Sequence, residues 1–125
     1  MKNLFVVTTL SAAMAFCATA NANTHIEEVW DCTVLEGSTM TQVNTINANW
    51  VKYVNKNVKG GGINSRSVTP LVGDMGTFIF VDSFPNLSSW ADAKEAMKSS
   101  DGQKIEAELE GVSKCTSNRL YTSTQ

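Results

Sequence analysis

The sequence predicts an α+β domain in which one four-stranded antiparallel sheet packs on two helices, the second of them broken. Two patterns carry this. Apolar residues alternate with a period of two around residues 26–35 and 77–83, and recur every three or four residues between Val43 and Val58. Clusters of Gly, Pro, Asp and Ser separate these stretches. A third observation concerns the three cysteines: Cys17 falls in the apolar amino-terminal run, and Cys32 and Cys115 stand near opposite ends of the remaining chain, far apart in sequence yet on segments that both read as strands.

From Ile26 to Leu35 the alternation suits a strand, with Val29, Asp31, Thr33 and Leu35 on one side and Trp30, Cys32 and Val34 on the other. Glu36-Gly37-Ser38 ends it. Val43, Ile46, Trp50, Val54 and Val58 then form one stripe of a helix from Thr39 to Asn57, and Thr39 with Gln42 offers a capping box. Gly60-Gly61-Gly62 terminates that helix. Ile63 to Leu71 is β-compatible but polar, and Pro70 marks it as an edge strand or the approach to a turn. Gly73-Asp74-Met75-Gly76 is a turn, and Thr77 to Ser83 is the clearest strand, so the two strands should pair as a hairpin. Pro85 stops the ladder. Ser88 or Ser89 can cap a helix carrying Trp90, Ala93 and Met97 on one face, and Ser99-Ser100-Asp101-Gly102 interrupts it. Ile105, Leu109 and Val112 form the stripe of a second piece, and Cys115 to Thr122 reads as the last strand. The order β, α, β, β, α, β is the ferredoxin-like arrangement, in which the last strand lies antiparallel beside the first.

The amino terminus reads as an export signal. One positive charge at Lys2 precedes an apolar or small-residue run from Leu4 to Ala20, and Ala20-Asn21-Ala22 fits a cleavage site. Residues 1–22 are therefore expected to be removed, leaving residues 23–125 as a single domain, soluble and either periplasmic or secreted. In an oxidising compartment Cys32 and Cys115 are expected to form a disulfide, the alternatives being two buried thiols or bonds to another chain. Two isolated cysteines without nearby histidines do not make a metal site. Loss of Lys2 leaves nine basic against twelve acidic residues, a formal charge of −3. No nucleic-acid partner is expected, and Lys52, Lys56 and Lys59 read as a solvated helix face. Glu106, Glu108 and Glu110 with Lys104 and Lys114 read the same way.

From Val29 to Tyr121 the chain resembles the dimeric α/β-barrel superfamily, small ferredoxin-like domains that include antibiotic-biosynthesis-type monooxygenases. The resemblance rests on element order and on the strand Phe78-Ile79-Phe80-Val81-Asp82-Ser83 running into Phe84-Pro85-Asn86-Leu87-Ser88-Ser89-Trp90. It implies a homodimer whose sheets face each other, with a small ligand between each sheet and its helices. The implied site is lined by Asn47, Trp50, Phe80, Asp82 and Arg66. Enzymatic members often use a histidine and haem-degrading ones need one, but this chain has none after His25, so no cofactor is expected.

The same residues have plainer readings. Trp50 and Phe80 fall at core spacing, where aromatic side chains usually only pack. Asp31 and Asp82, on adjacent central strands, could share a face and supply a general base assisted by Arg66; alternatively each meets water, Arg66 or Arg119. Cleavage after Ala22 would expose Asn23-Thr24-His25, an end that can wrap Cu(II) in a square plane, or be an incidental tail. The function expected is that of an exported domain binding a small apolar or aromatic ligand. The alternatives are a cofactor-independent enzyme of the dimeric α/β-barrel type and a structural or interaction protein.

Overall fold

A computed structural model describes residues 24–124, so the expected leader, its cleavage site and Asn23 lie outside the described residues. The elements run β1 (Thr24–Val34), α1 (Met40–Asn57), β2 (Asn64–Val68), β3 (Thr77–Phe84), α2 (Leu87–Ala96), α3 (Ser100–Glu110) and β4 (Ser113–Thr124). The sheet order is β2-β3-β1-β4 with every neighbouring pair antiparallel, which is the ferredoxin-like fold.

Local chemistry explains the element ends. Thr39 caps α1 and forms the capping box with Gln42, whose Oε1 accepts from the Thr39 amide at 2.8 Å. Beyond α1, Gly60, Gly61 and Gly62 all hold positive φ (87°, 56° and 74°), a left-handed run that side chains would resist at every step. Strand ends shift by one to three residues from the sequence reading, and the caps of the later helices differ from it. Asn86 rather than Ser88 or Ser89 caps α2, its Oδ1 accepting from the Ser89 amide at 2.9 Å. Ser100–Gly102 are the first turn of α3, not an interruption, because Ser99 caps that helix and its Oγ accepts from the Gly102 amide at 3.1 Å. A Cβ at Gly102 would lie 2.6 Å from the Met97 backbone, so the start of α3 is pressed against the end of α2.

The period of two along each strand sorts side chains onto two faces. Glu28, Trp30 and Cys32 on β1, and Phe78, Phe80, Asp82 and Phe84 on β3, stand on the inner face, against the helices. The apolar part of that face forms two clusters. Val54, Val58, Ile63, Phe84 and Ala93 occupy one end, and Cys32, Val43, Phe78 and Phe80 the other. Between them the register pairs Glu28 with Asp82. The core is therefore interrupted by two carboxylates in adjacent strands.

At the second cluster Cys32 and Cys115 are register partners and form a disulfide. The bond ties β4, an edge strand, to the central β1 across 83 positions of sequence. In the chain-entropy view, closing such a loop contributes about 4–5 kcal/mol to stability.

Candidate functional site

A cleft of about 720 Å³ opens between the inner face of the sheet and the helices. Trp30 and Phe80 line it from the sheet, Trp50 and Asn47 from α1, Met97 from the end of α2, and Leu109 from α3. Asp82 lines it as well, and so does Cys115, which puts the disulfide at its wall. Of the five residues expected to line a ligand site, Asn47, Trp50, Phe80 and Asp82 are thus brought together and Arg66 is not. Phe80 is also core, 3% exposed and edge-on to Phe78 at 5.0 Å. Trp50 is half-buried and meets Phe84 edge-on at 6.5 Å, so both aromatic residues pack and line the cleft at once. The Asn47 side chain donates to Ser65 Oγ at 2.9 Å, bracing α1 against β2.

The other expected residues go elsewhere. Asp31 and Asp82 do not share a face: Asp82 is the register partner of Glu28, whereas Asp31 is the partner of Ile79, an odd number of residues further along each strand. Asp31 lies on the outer face, where Arg119 and Ser117 each donate to its Oδ2 at 2.6 Å. Arg66 is also outside the cleft, exposed beside Glu27 at 3.6 Å. Thr24 and His25 belong to β1 and pair with β4, and His25 Nε2 lies 3.4 Å from Glu27 Oε1 on the outer face. Asn23, the other member of the Asn23-Thr24-His25 sequence, lies outside the described residues. Lys52, Lys56 and Lys59 are exposed.

The carboxylate that does stand beside Asp82 is Glu28. It is 1% exposed and fully engaged: Lys94 Nζ at 2.6 Å and Trp90 Nε1 at 3.1 Å approach its Oε2, and Asn118 Nδ2 donates to its Oε1 at 2.7 Å. The Lys94 ammonium also lies 4.9 Å from the Trp30 ring centre and 5.9 Å from that of Trp90. Asp82 is 7% exposed, yet its Oδ1 has no hydrogen-bond partner. Burial pushes the Asp82 carboxyl up from 3.8 to about 6; Ser65 opposes the rise, Glu28 adds to it, and Lys94 and Trp30 oppose it. A carboxyl titrating there can hold or release a proton close to neutrality, in an enclosed and largely apolar setting.

Glu28 and Lys94 were missed in the sequence, although a signal for each was present. Glu28 continues the alternation of Trp30 and Cys32 one step back, and Lys94 follows Trp90 by four residues on one helical face. Glu106, Glu110 and Lys114, read as a solvated exterior, are exposed but form the rim of the cleft.

No protein-family model matches the chain, and no curated protein does. Solved structures do. SnoaB, a cofactor-independent oxygenase from Streptomyces nogalater, matches in a mutant form with TM-score 0.60 at 11% identity, over 83% of this chain and 96% of that one. A nipsnap family protein of unknown function from Agrobacterium tumefaciens matches with TM-score 0.56 at 8% identity, over 82% of this chain and 89% of that one. A candidate antibiotic biosynthesis monooxygenase from Caulobacter crescentus gives TM-score 0.52 at 7% identity, over 83% and 92% of the two chains. At such identities the likeness shows the fold alone, the ferredoxin-like arrangement that the sequence predicts.

Proposed function

We propose that this chain is an exported domain that binds a small apolar or aromatic ligand in the cleft between its sheet and helices, with Asp82 as the polar anchor. One observation carries the reading: Asp82, almost wholly buried and with one carboxyl oxygen lacking a hydrogen-bond partner, lines a cleft walled by Trp30, Trp50 and Phe80. A structural core gains nothing from such a group, whose desolvation is unfavourable unless something completes it. The cleft's volume lies in the range of small-molecule sites, and its walls combine apolar rings with few polar groups, as such sites do. Trp50→Ala should weaken binding of an aromatic ligand about tenfold, followed by tryptophan fluorescence. Unchanged affinity in that variant would place the ligand elsewhere.

Export is supported by the disulfide, which suits an oxidising compartment. Among the described residues no helix is long and apolar enough to cross a membrane. Homodimerisation through the outer face of the sheet is supported by Val29, Val68, Ile79, Val81 and Tyr121, which that face groups together. Val68 is 44% and Tyr121 47% exposed, so this face has apolar surface to cover. Native mass measurement should return twice the chain mass, and a monomer at every concentration would remove the dimer.

A second reading, a cofactor-independent enzyme, is favoured by the titration of Asp82 near neutrality and by the likeness to SnoaB, itself a cofactor-independent oxygenase. In that reading Asp82 removes a proton from the bound ligand. Asp82→Asn would then abolish turnover of a ligand that the variant still binds.

A further inference from the structure

We infer that the ligand of this cleft carries a positive charge: a small organic cation, such as an aryl-alkyl amine, whose ammonium meets Asp82 while its apolar part lies against Trp50 and Phe80. The inference rests on the reading of the cleft as a ligand site and adds the chemical class of the occupant.

Charge around the cleft points this way. Beside Asp82, Glu28 on β1 is bonded to Lys94 on α2, and elsewhere on the cleft wall Lys98, just past α2, is bonded to the exposed Glu95 at 2.6 Å. Lys114 at the start of β4 lines the cleft together with Glu106 and Glu110 on α3. From α1 and β2 the facing side chains are Asn47, Trp50 and Ser65, which are uncharged, and Ser65 and Asn47 are bonded to each other. The cleft is lined by Lys94, Lys98 and Lys114 and by Glu106, Glu110 and Asp82, three charges of each sign. Lys94 and Lys98 are taken up by Glu28 and Glu95, which are not part of the lining, so Lys114 alone stands among three acidic groups. Glu28 has its donors already, so the buried carboxylate of the cleft lining that lacks a full set of partners is Asp82.

The walls suit the same occupant. A cation gains from the faces of aromatic rings, most when water is excluded, and this cleft offers Trp30, Trp50 and Phe80. Lys94 already uses the Trp30 and Trp90 rings in this way, at 4.9 and 5.9 Å, which leaves Trp50 and Phe80 for the ligand. An anionic ligand would instead meet a buried carboxylate of its own sign, which is strongly unfavourable. Asp82 titrates near 6, so protonation removes the attraction in mild acid.

The test uses the full mature chain and three probes of one shape: phenethylamine, its alcohol, and phenylpropionate, each titrated by calorimetry. The amine should bind about tenfold more tightly than the alcohol near neutral pH, and phenylpropionate the least. Between about pH 7.5 and about pH 5 the ionised fraction of Asp82 falls about tenfold, and the amine's affinity should fall with it while the alcohol's holds. Asp82→Asn should erase the preference for the amine at both pH values. The pH comparison gives the same reading on unaltered protein should that variant fold poorly. Equal affinities for amine and alcohol, both reduced by Trp50→Ala, would overturn the cation inference and keep the cleft as a ligand site. Failure of all three probes to bind would overturn both.

Discussion

On the outer face of the sheet Asp31 meets Arg119 at 2.6 Å, with the two side chains 39% and 54% exposed. On the inner face Glu28 meets Lys94 at the same 2.6 Å, with the carboxylate 1% exposed. Distance alone would rank these pairs as equals. Water ranks them otherwise: an exposed pair contributes up to about 1 kcal/mol, because both ions are nearly as well served by solvent. A buried pair offsets a desolvation penalty of several kcal/mol per ion, so its partners depend on each other completely. The contrast locates the chemistry of this fold. Charges on the bare face can be exchanged cheaply, whereas those under the helices persist against a steady energetic pressure to be replaced by apolar groups.

The most direct challenge to this contrast is to remove one cation from each face. Lys94→Met should destabilise the protein by about 3–5 kcal/mol, because it leaves Glu28 buried without its ammonium. Arg119→Met should change stability by less than about 1 kcal/mol, read in the same urea titration. Comparable losses in the two variants would show that the faces do not differ as described.

Between these extremes lies Asp82. Its folded value of about 6 exceeds the 3.8 of an ordinary aspartate, so the folded protein holds the proton more tightly than the unfolded chain. The stabilising effect of that proton is complete below pH 3.8, declines as the pH rises, and is gone above pH 6. Asp82→Asn should therefore be more stable than the parent at neutral pH by about 2–3 kcal/mol, and nearly equal to it in acid. Urea midpoints across the acid range check this. A parent whose stability does not fall between those two values would argue that Asp82 is better solvated than its burial implies.

Much of this fold is legible in the sequence because its patterns are local. The alternation at Phe78 to Phe84, the helical stripe from Val43 to Val58 and the Thr39–Gln42 cap are each set within a few residues. The disulfide follows because β1 and β4 are the strands this topology makes neighbours. The site is only half legible. Asn47, Trp50, Phe80 and Asp82 line one cleft while Arg66 lies outside it, and the choice of Asp31 as the partner of Asp82 fails. A strand's parity says which residues share its own face; matching faces between strands also requires the register, and register is set by the whole sheet. Glu28 eluded the reading for a related reason. A glutamate two residues before a tryptophan looks like a solvated strand end until Lys94, Trp90 and Asn118 are seen to converge on it from α2 and β4.

The bond between Cys32 and Cys115 also limits how two copies of this chain can associate. Because it closes within one polypeptide, β4 cannot be lent to a second molecule unless the bond is first opened and then remade in trans. Exchange of the terminal strand, a common route by which small sheets tangle into swapped pairs or fibres, is covalently barred while the sulfurs stay joined.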